Sequence, residues 1–120
     1  SHGWPPFEQF LRQLEQSGDA DRVQLPKAFA LRQNYPNPFN PSTTIAYSVP
    51  EGGGSEFRLE VFDIRGRLVR VLASGVHEPG SYRVQWEGTD ESGREVPSGI
   101  YFSRMRAQGF SAVRKMVLVK

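Results

Sequence analysis

Two histidines are the residues in this chain best suited to proton transfer near neutral pH. A Ser-His-Asp triad needs a histidine as its general base. His2 lies in the opening Ser-His-Gly (residues 1–3), which is typical of a cleaved tag remnant, and this leaves His77. His77 falls in the turn-like stretch 75–80, and no serine occupies the G-x-S-x-G elbow of a hydrolase nucleophile. We therefore expect a surface histidine, and we do not predict an enzyme.

Carboxylates offer a second kind of chemistry, because calcium prefers their oxygens as ligands. The acidic candidates are Asp19, Asp21, Asp63, Asp90 and Glu91. None has EF-hand spacing, and the stretch 89–93 (TDESG) is more simply a turn that Asp90 closes onto neighbouring backbone. Gly52–Gly54 has no following lysine or helix, so it is not a phosphate-binding loop. No cofactor and no metal are predicted, and calcium at 89–93 is the less favoured alternative.

Aromatic residues suggest a third chemistry, the stacking of sugars. Trp86, Tyr82, Tyr101 and Tyr47 would supply the rings of an accessory carbohydrate-binding module attached to a glycoside hydrolase. Each ring also lies at a position of its alternating strand that is expected to face inward, and this position favours packing in the core over sugar binding. Two or three coplanar, exposed rings would distinguish the binding module.

Composition excludes several classes of protein. The 120 residues fit one domain, and the absence of cysteine excludes disulfides and thiolate metal sites. The 15 basic and 13 acidic residues are interspersed, without the basic stripe of a nucleic-acid binder. No apolar run approaches the ~18 residues that insertion into a membrane requires.

From residue 28 onward, apolar residues alternate with polar ones, as in antiparallel sheets with one buried face. Glycine- and proline-containing turns separate the runs. The predicted strands are 28–33, 43–49, 56–63, 67–73, 80–87, 99–107 and 110–119. This spacing predicts an all-β sandwich in which neighbours pair only antiparallel. The residues expected in the core are Trp86, Tyr82, Leu59, Val61 and Tyr101.

Two strand runs, 67–72 and 114–119, are apolar on both faces, which is typical of strands covered on both sides. Tyr101 follows Pro97-Ser98-Gly99 at a strand start. Immunoglobulin-like sandwiches often tie such a hydroxyl to backbone at a corner.

The residues before the sandwich have a different pattern. Phe7, Phe10, Leu11 and Leu14 share one face of a predicted helix over 5–17, which would pack on this domain, belong to a preceding one or dock a partner. Residues 18–27 are polar and resemble a linker. The expected organisation is therefore a helix and linker over 4–27, followed by the sandwich over 28–120.

The segment 33–45 (QNYPNPFNPSTTI) places three prolines among three asparagines. Proline fixes its own φ, and asparagine side chains close turns onto the backbone. We expect an ordered, irregular loop over 34–42, with Tyr35 or Phe39 docked into the sandwich.

Four segments together resemble the type A C-terminal sorting domain of the type IX (Por) secretion system. They are LRQNYPNPFNPSTTIAYSVP (31–50), LEVFDIRGRLVRVL (59–72), GSYRVQWEGTDESGREVPSGIYFSRMRA (80–107) and KMVLVK (115–120). The sequence is similar, more distantly, to the immunoglobulin-like domain of the flagellar hook-capping protein.

The resemblance implies a seven-stranded immunoglobulin-like sandwich that acts as a non-catalytic secretion signal. Such a domain directs an N-terminal cargo from the periplasm across the outer membrane and is then commonly removed, while the cargo is anchored at the cell surface or released. The implied partners are the translocon, its shuttle and a sortase-like peptidase.

The family motifs also assign residues. Those implied in translocon recognition are Lys115, Val117, Val119, Lys120, Pro79, Gly80 and Tyr82. Those implied as structural are Asn37, Pro38, Asn40, Pro41, Asp63, Gly66, Arg67, Gly99 and Tyr101. A terminal strand at a sheet edge could be read through unpaired backbone groups, although residues 113–119 could equally be a plain core strand.

Overall fold

The computed structural model describes residues 25–52 and 56–120. These residues form β1 (Ala30–Leu31), β2 (Thr43–Val49), β3 (Phe57–Asp63), β4 (Leu68–Gly75), β5 (Gly80–Trp86), β6 (Gly99–Ala107) and β7 (Phe110–Leu118). All seven predicted strands are present, and all but β1 lie close to their expected bounds. The predicted helix over 5–17 lies outside the described residues, as does most of the predicted linker. No helix in the described part is long and apolar enough to cross a membrane.

The strands form two antiparallel sheets, which confirms the predicted sandwich. Sheet A has the order β1-β2-β5, and sheet B has the order β4-β3-β6-β7. The hairpins β3–β4 and β6–β7 pair as expected. All pairs of named strands are antiparallel, as predicted. An isolated parallel bridge joins Phe39, in the loop before β2, to Leu118 of β7.

The core lies between the inner faces of the two sheets. Trp86 is buried at the end of the core nearest the 34–42 loop, with ring-centroid distances of 5.6 Å to Phe39 and 5.3 Å to Tyr101. Leu59, Val61 and Tyr101 are buried as predicted. Tyr82 is only half-buried, because it packs over the rim beside Tyr47.

Strand β1 is shorter than predicted, because its regular pairing with β2 ends after Arg32, whose amide donates to the Ala46 carbonyl at 3.0 Å. The Asn34 side chain turns inward and donates to the Pro36 carbonyl (3.1 Å) and to Thr43 Oγ1 (3.0 Å). Pairing with β2 resumes only at the isolated bridge between Tyr35 and Thr44.

The two runs that are apolar on both faces are not covered on both sides, contrary to expectation. Leu68 in the first run is 46% exposed, and Val119 in the second is 47% exposed. Both β4 and β7 are edge strands of sheet B, so each has a neighbouring strand on one side alone. In addition, the pairing of β4 with β3 shifts register between Leu59 and Glu60.

Candidate recognition surface

The asparagine-proline segment and the end of β7 form one hydrogen-bonded unit, here called the terminal clasp (residues 33–39 with 115–119). The Phe39 amide donates to the Val117 carbonyl, and the Val119 amide donates to the Phe39 carbonyl, both at 2.9 Å. Asn37 Oδ1 accepts from the Val117 amide at 2.9 Å, and Asn37 Nδ2 donates to the Lys115 carbonyl at 3.3 Å. Two motifs about 80 residues apart in the sequence therefore build a single surface.

One aromatic ring anchors the clasp. Phe39 is 2% exposed, whereas Tyr35 is 80% exposed. The predicted docking of a ring is thus confirmed for Phe39. The peptide bonds before Pro36, Pro38 and Pro41 are cis. Pro38, Asn40 and Pro41 are exposed.

The clasp covers the end of β7, which is an edge strand of sheet B. Along residues 115–119, the Val117 amide and carbonyl, the Lys115 carbonyl and the Val119 amide bond to Asn37 or Phe39. Gln33 Nε2 also donates to the Lys115 carbonyl at 2.7 Å. The loop therefore already occupies most of the backbone edge through which this stretch could be read.

Side chains of the terminal strand remain accessible. Lys115 is exposed on the outer face of sheet B, Val117 beside it is half-buried, and Val119 is exposed. Lys120 Nζ lies 3.4 Å from Glu95 Oε1, and its backbone amide donates to Ser98 Oγ at 3.0 Å. Because Glu95 is 81% exposed, this ion pair contributes little to stability.

Pro79, Gly80 and Tyr82 lie at the other end of the sandwich. Gly80 pairs with Val49, six residues along β5 from Trp86, which contacts the clasp. Tyr82 stacks on Tyr47 at 5.4 Å, and its hydroxyl donates to the Glu78 carbonyl. The structure does not bring the two groups of candidate recognition residues together.

The DIRGR motif forms a tight turn between β3 and β4. Asp63 Oδ1 accepts from the backbone amides of Arg65 and Arg67, both at 2.9 Å, and Gly66 has φ of +83°, which glycine adopts without strain. These bonds, first of all the one from the Arg67 amide, lower the pKa of Asp63. The side chain of Arg67 also lies 3.2 Å from Asp63 Oδ2.

The TDESG segment is likewise a turn. Asp90 Oδ1 accepts from the Ser92 hydroxyl at 2.7 Å and from the amides of Ser92 and Arg94. The Ser92 hydroxyl is the main reason why the pKa of Asp90 is lowered. Within the described residues, no group of three or more His, Cys, Asp or Glu side chains could hold a metal ion.

Tyr101 has the corner position that its sequence context suggested. After Gly99 opens β6, the Tyr101 hydroxyl donates to the Pro97 carbonyl at 2.7 Å. Burial raises the pKa of this hydroxyl, and the Asp63 charge adds to the effect.

His77 is not the open surface residue that we expected. It is half-buried, edge-on to Phe57 at 4.6 Å and 4.9 Å from the Tyr82 ring. Of the rings considered for sugar stacking, Trp86, Tyr101 and Tyr47 are buried. They cannot form an exposed platform with Tyr82.

Sequence reasoning missed a buried carboxylate on the outer face of sheet B. Glu60 is 3% exposed, although strand alternation places it toward solvent. Arg58 Nε (2.9 Å), Arg104 Nη2 (3.3 Å) and Arg106 Nη2 (3.8 Å) surround it, and the Arg104 guanidinium lies 4.4 Å from the Phe62 ring centroid. The cross-strand register that pairs Glu60 with Arg104 was the missing signal.

Comparison with known proteins defines the class of this sandwich. The chain belongs to the family of FlgD Ig-like domains, whose model matches residues 40–109, more than half of the chain. This confirms the immunoglobulin-like part of the resemblance. No curated protein matches the chain.

Two solved structures have a coarse similarity to it. One is PorZ, an essential surface component of the type-IX secretion system of Porphyromonas gingivalis, with TM-score 0.46 and 18% identity over 78% of this chain and 12% of PorZ. The other is the alkylpurine DNA glycosylase AlkC of Pseudomonas fluorescens, bound to DNA, with TM-score 0.42 and 11% identity over 91% of this chain and 34% of AlkC. The chain thus spans a small part of either protein.

Proposed function

We propose that residues 28–120 are a type A C-terminal sorting domain, a non-catalytic signal that directs a cargo across the outer membrane through the type IX secretion system. The observation that carries the proposal is the terminal clasp. The asparagine-proline motif and the basic-apolar terminus, both of which carry the family resemblance, meet in one hydrogen-bonded surface through Asn37 and Phe39.

The clasp suggests how the signal would be read. Because the backbone edge along 115–119 is occupied by the loop, recognition relies on side chains that face outward, Lys115, Val117 and Val119. A lysine head beside two valines offers charge together with apolar contact area. Pro79, Gly80 and Tyr82 would form a second contact at the opposite end.

The proposed pathway follows from the same assignment. The domain passes through the periplasm with its N-terminal cargo and engages the translocon and its shuttle. A sortase-like peptidase then removes the domain, or the domain is retained at the cell surface. In this scheme the domain needs no cofactor and performs no catalysis.

The test is export of a periplasmic reporter in a host with the type IX machinery. The reporter is fused to the 120-residue chain and, separately, to residues 28–120. Both fusions should reach the surface or the medium. A folded wild-type fusion that stays in the periplasm would refute the sorting assignment.

A paired substitution tests the proposed site. Lys115→Ala with Lys120→Ala should reduce export and leave the melting temperature of the purified domain nearly unchanged, because lysine heads normally stay in water. The matched control, made in the 120-residue fusion, is Lys27→Ala with Arg65→Ala, which removes two charges from exposed positions away from the clasp. If export falls only in step with thermal stability, or equally in the control, the terminal lysines are not the signal.

A further inference from the structure

The two edges of sheet B are protected unequally. On β4, the Glu91 amide donates to the Val69 carbonyl at 3.1 Å, and the Glu91 carboxylate accepts from the Val71 amide. On β7, the terminal clasp covers the stretch 115–119. The first half of β7 has no such cover in the described part of the chain.

The register shows which backbone groups this leaves open. Val117 directs its amide and carbonyl outward to the clasp, and outward groups recur every second residue along a strand. Ser111 and Val113 therefore present their N–H and C=O groups at the same edge. Among the described residues, none of these groups has a backbone partner in a neighbouring segment.

A groove of about 440 Å³ runs beside this open stretch, between β1 and β7. The rings of Phe29 and Phe110 meet at one end with centroids 5.7 Å apart, and the small side chains of Ala30 and Ala112 leave room along the floor. Arg114 Nε donates to the Leu31 carbonyl at 2.9 Å and so bridges the two sheets.

The charge around the groove has one sign. Arg32 and Arg114 line it, and no acidic side chain does so in the described part of the chain. Arg104 and Arg106 lie on the neighbouring strand β6 and direct their guanidinium groups to Glu60 on β3, away from this edge. The cations that an arriving strand would meet are therefore Arg32 and Arg114 of the groove.

We propose that this open stretch, residues 111–113 with the β1–β7 groove, binds an extended acidic peptide segment of a partner protein as an added strand. Backbone bonds to Ser111 and Val113 would hold the segment, and its alternate side chains would reach Arg32 and Arg114 in the groove. Carboxylates suit these arginines, whereas pairing of two copies would bring like charges together. The site is separate from residues 115–120, so its failure would leave the sorting proposal intact.

The test uses the full 120-residue chain, labelled with ¹⁵N, and a capped hexapeptide that alternates glutamate with valine. We expect saturable amide shifts centred on Ser111 and Val113, together with slower hydrogen exchange at these two amides. A hexapeptide with lysine in place of glutamate should not bind. Equal binding of both peptides, or shifts centred elsewhere, would overturn the proposal.

Two substitutions separate the backbone contribution from the charge contribution. Val113→Pro removes an outward N–H without removing a bond to β6, and proline is tolerated on such edges. It should weaken binding by at least about threefold, the effect of one hydrogen bond, while Val113→Thr should bind like wild type. Arg32→Gln, at an exposed position, should also weaken binding of the peptide. It provides the test of the proposal if the proline variant does not fold. Undiminished binding in the folded variants would contradict the proposal.

Two other occupants of this edge can be detected by hydrogen exchange before any peptide is added. If residues 4–17 of the same chain, which carry Glu8 and Glu15, already occupy the edge, the Ser111 and Val113 amides will be protected at every protein concentration. If two copies pair there, protection will rise with concentration. Either result overturns the partner assignment.

Discussion

Phe39→Ala tests whether one buried ring holds the terminal clasp together. The ring is 2% exposed and lies 5.6 Å from Trp86, so truncation removes a large core contact and leaves a cavity. Such substitutions cost about 3–5 kcal/mol of unfolding free energy. Tyr35→Ala is the matched control in the same loop, and at 80% exposure it should change stability by less than about 0.5 kcal/mol.

The assay is urea unfolding of the 120-residue chain, with midpoints compared at a common m-value. Hydrogen exchange adds a local measurement. The Val119 amide, which bonds to Phe39, should lose more protection than the Met116 amide, which faces β6. A loss below about 1 kcal/mol for Phe39→Ala, or equal losses in the two loop variants, would refute the anchor. Equal loss of protection at both amides would show that no local clasp exists.

Three further predictions follow from the core and the turns. Trp86→Ala should cost roughly 3–5 kcal/mol in the same urea assay, and a loss below ~1 kcal/mol would contradict the burial of the Trp86 ring in the core. Ser103→Ala should be neutral or stabilise by up to about 1 kcal/mol, because the buried Ser103 hydroxyl has no hydrogen-bond partner in the described residues; a clear destabilisation would show that it has one. The pKa values of Asp63 and Asp90 are lower in the folded protein than in the unfolded chain, so the unfolded chain binds more protons in acid. The two carboxylates therefore stabilise the fold above their unfolded pKa, and this stabilisation is lost as the pH falls through their folded pKa. Melting temperature followed below about pH 5 should therefore fall less steeply when both are changed to Asn, and an unchanged slope would argue against these turn bonds.

The strands could be predicted from sequence because their signal is local. Ile45, Tyr47 and Val49 alternate with smaller or polar residues, and all three are buried. A period of two fixes which face of a strand is apolar, but it does not state which strands become neighbours. The burial of Glu60 depends on Arg104 and Arg106 in another strand, so the pattern of β3 alone indicated an exposed residue.

The loop shows the same limit. Three prolines and three asparagines predicted order over 34–42, and the aromatic residues predicted an anchor. The choice of Phe39 over Tyr35 depends on Trp86, and the closure of the β7 edge depends on side-chain bonds from Asn37 to residues about 80 positions away. Local chemistry at Asn37 contains no information about that distant partner.

The closed edge constrains any mechanism that reads the terminal strand. A receptor that added a strand along 115–119 would first displace the loop, with loss of the Phe39 and Asn37 bonds to Val117 and of the burial of the Phe39 ring. The incoming strand could replace the hydrogen bonds, but it would also have to match the roughly 1.5–3 kcal/mol of a buried aromatic side chain. Reading Lys115 and Val117 from the outer face requires no such displacement. The geometry therefore favours recognition of the closed clasp through its side chains. Strand addition remains available at residues 111–113 of β7, where none of the described residues covers the backbone edge.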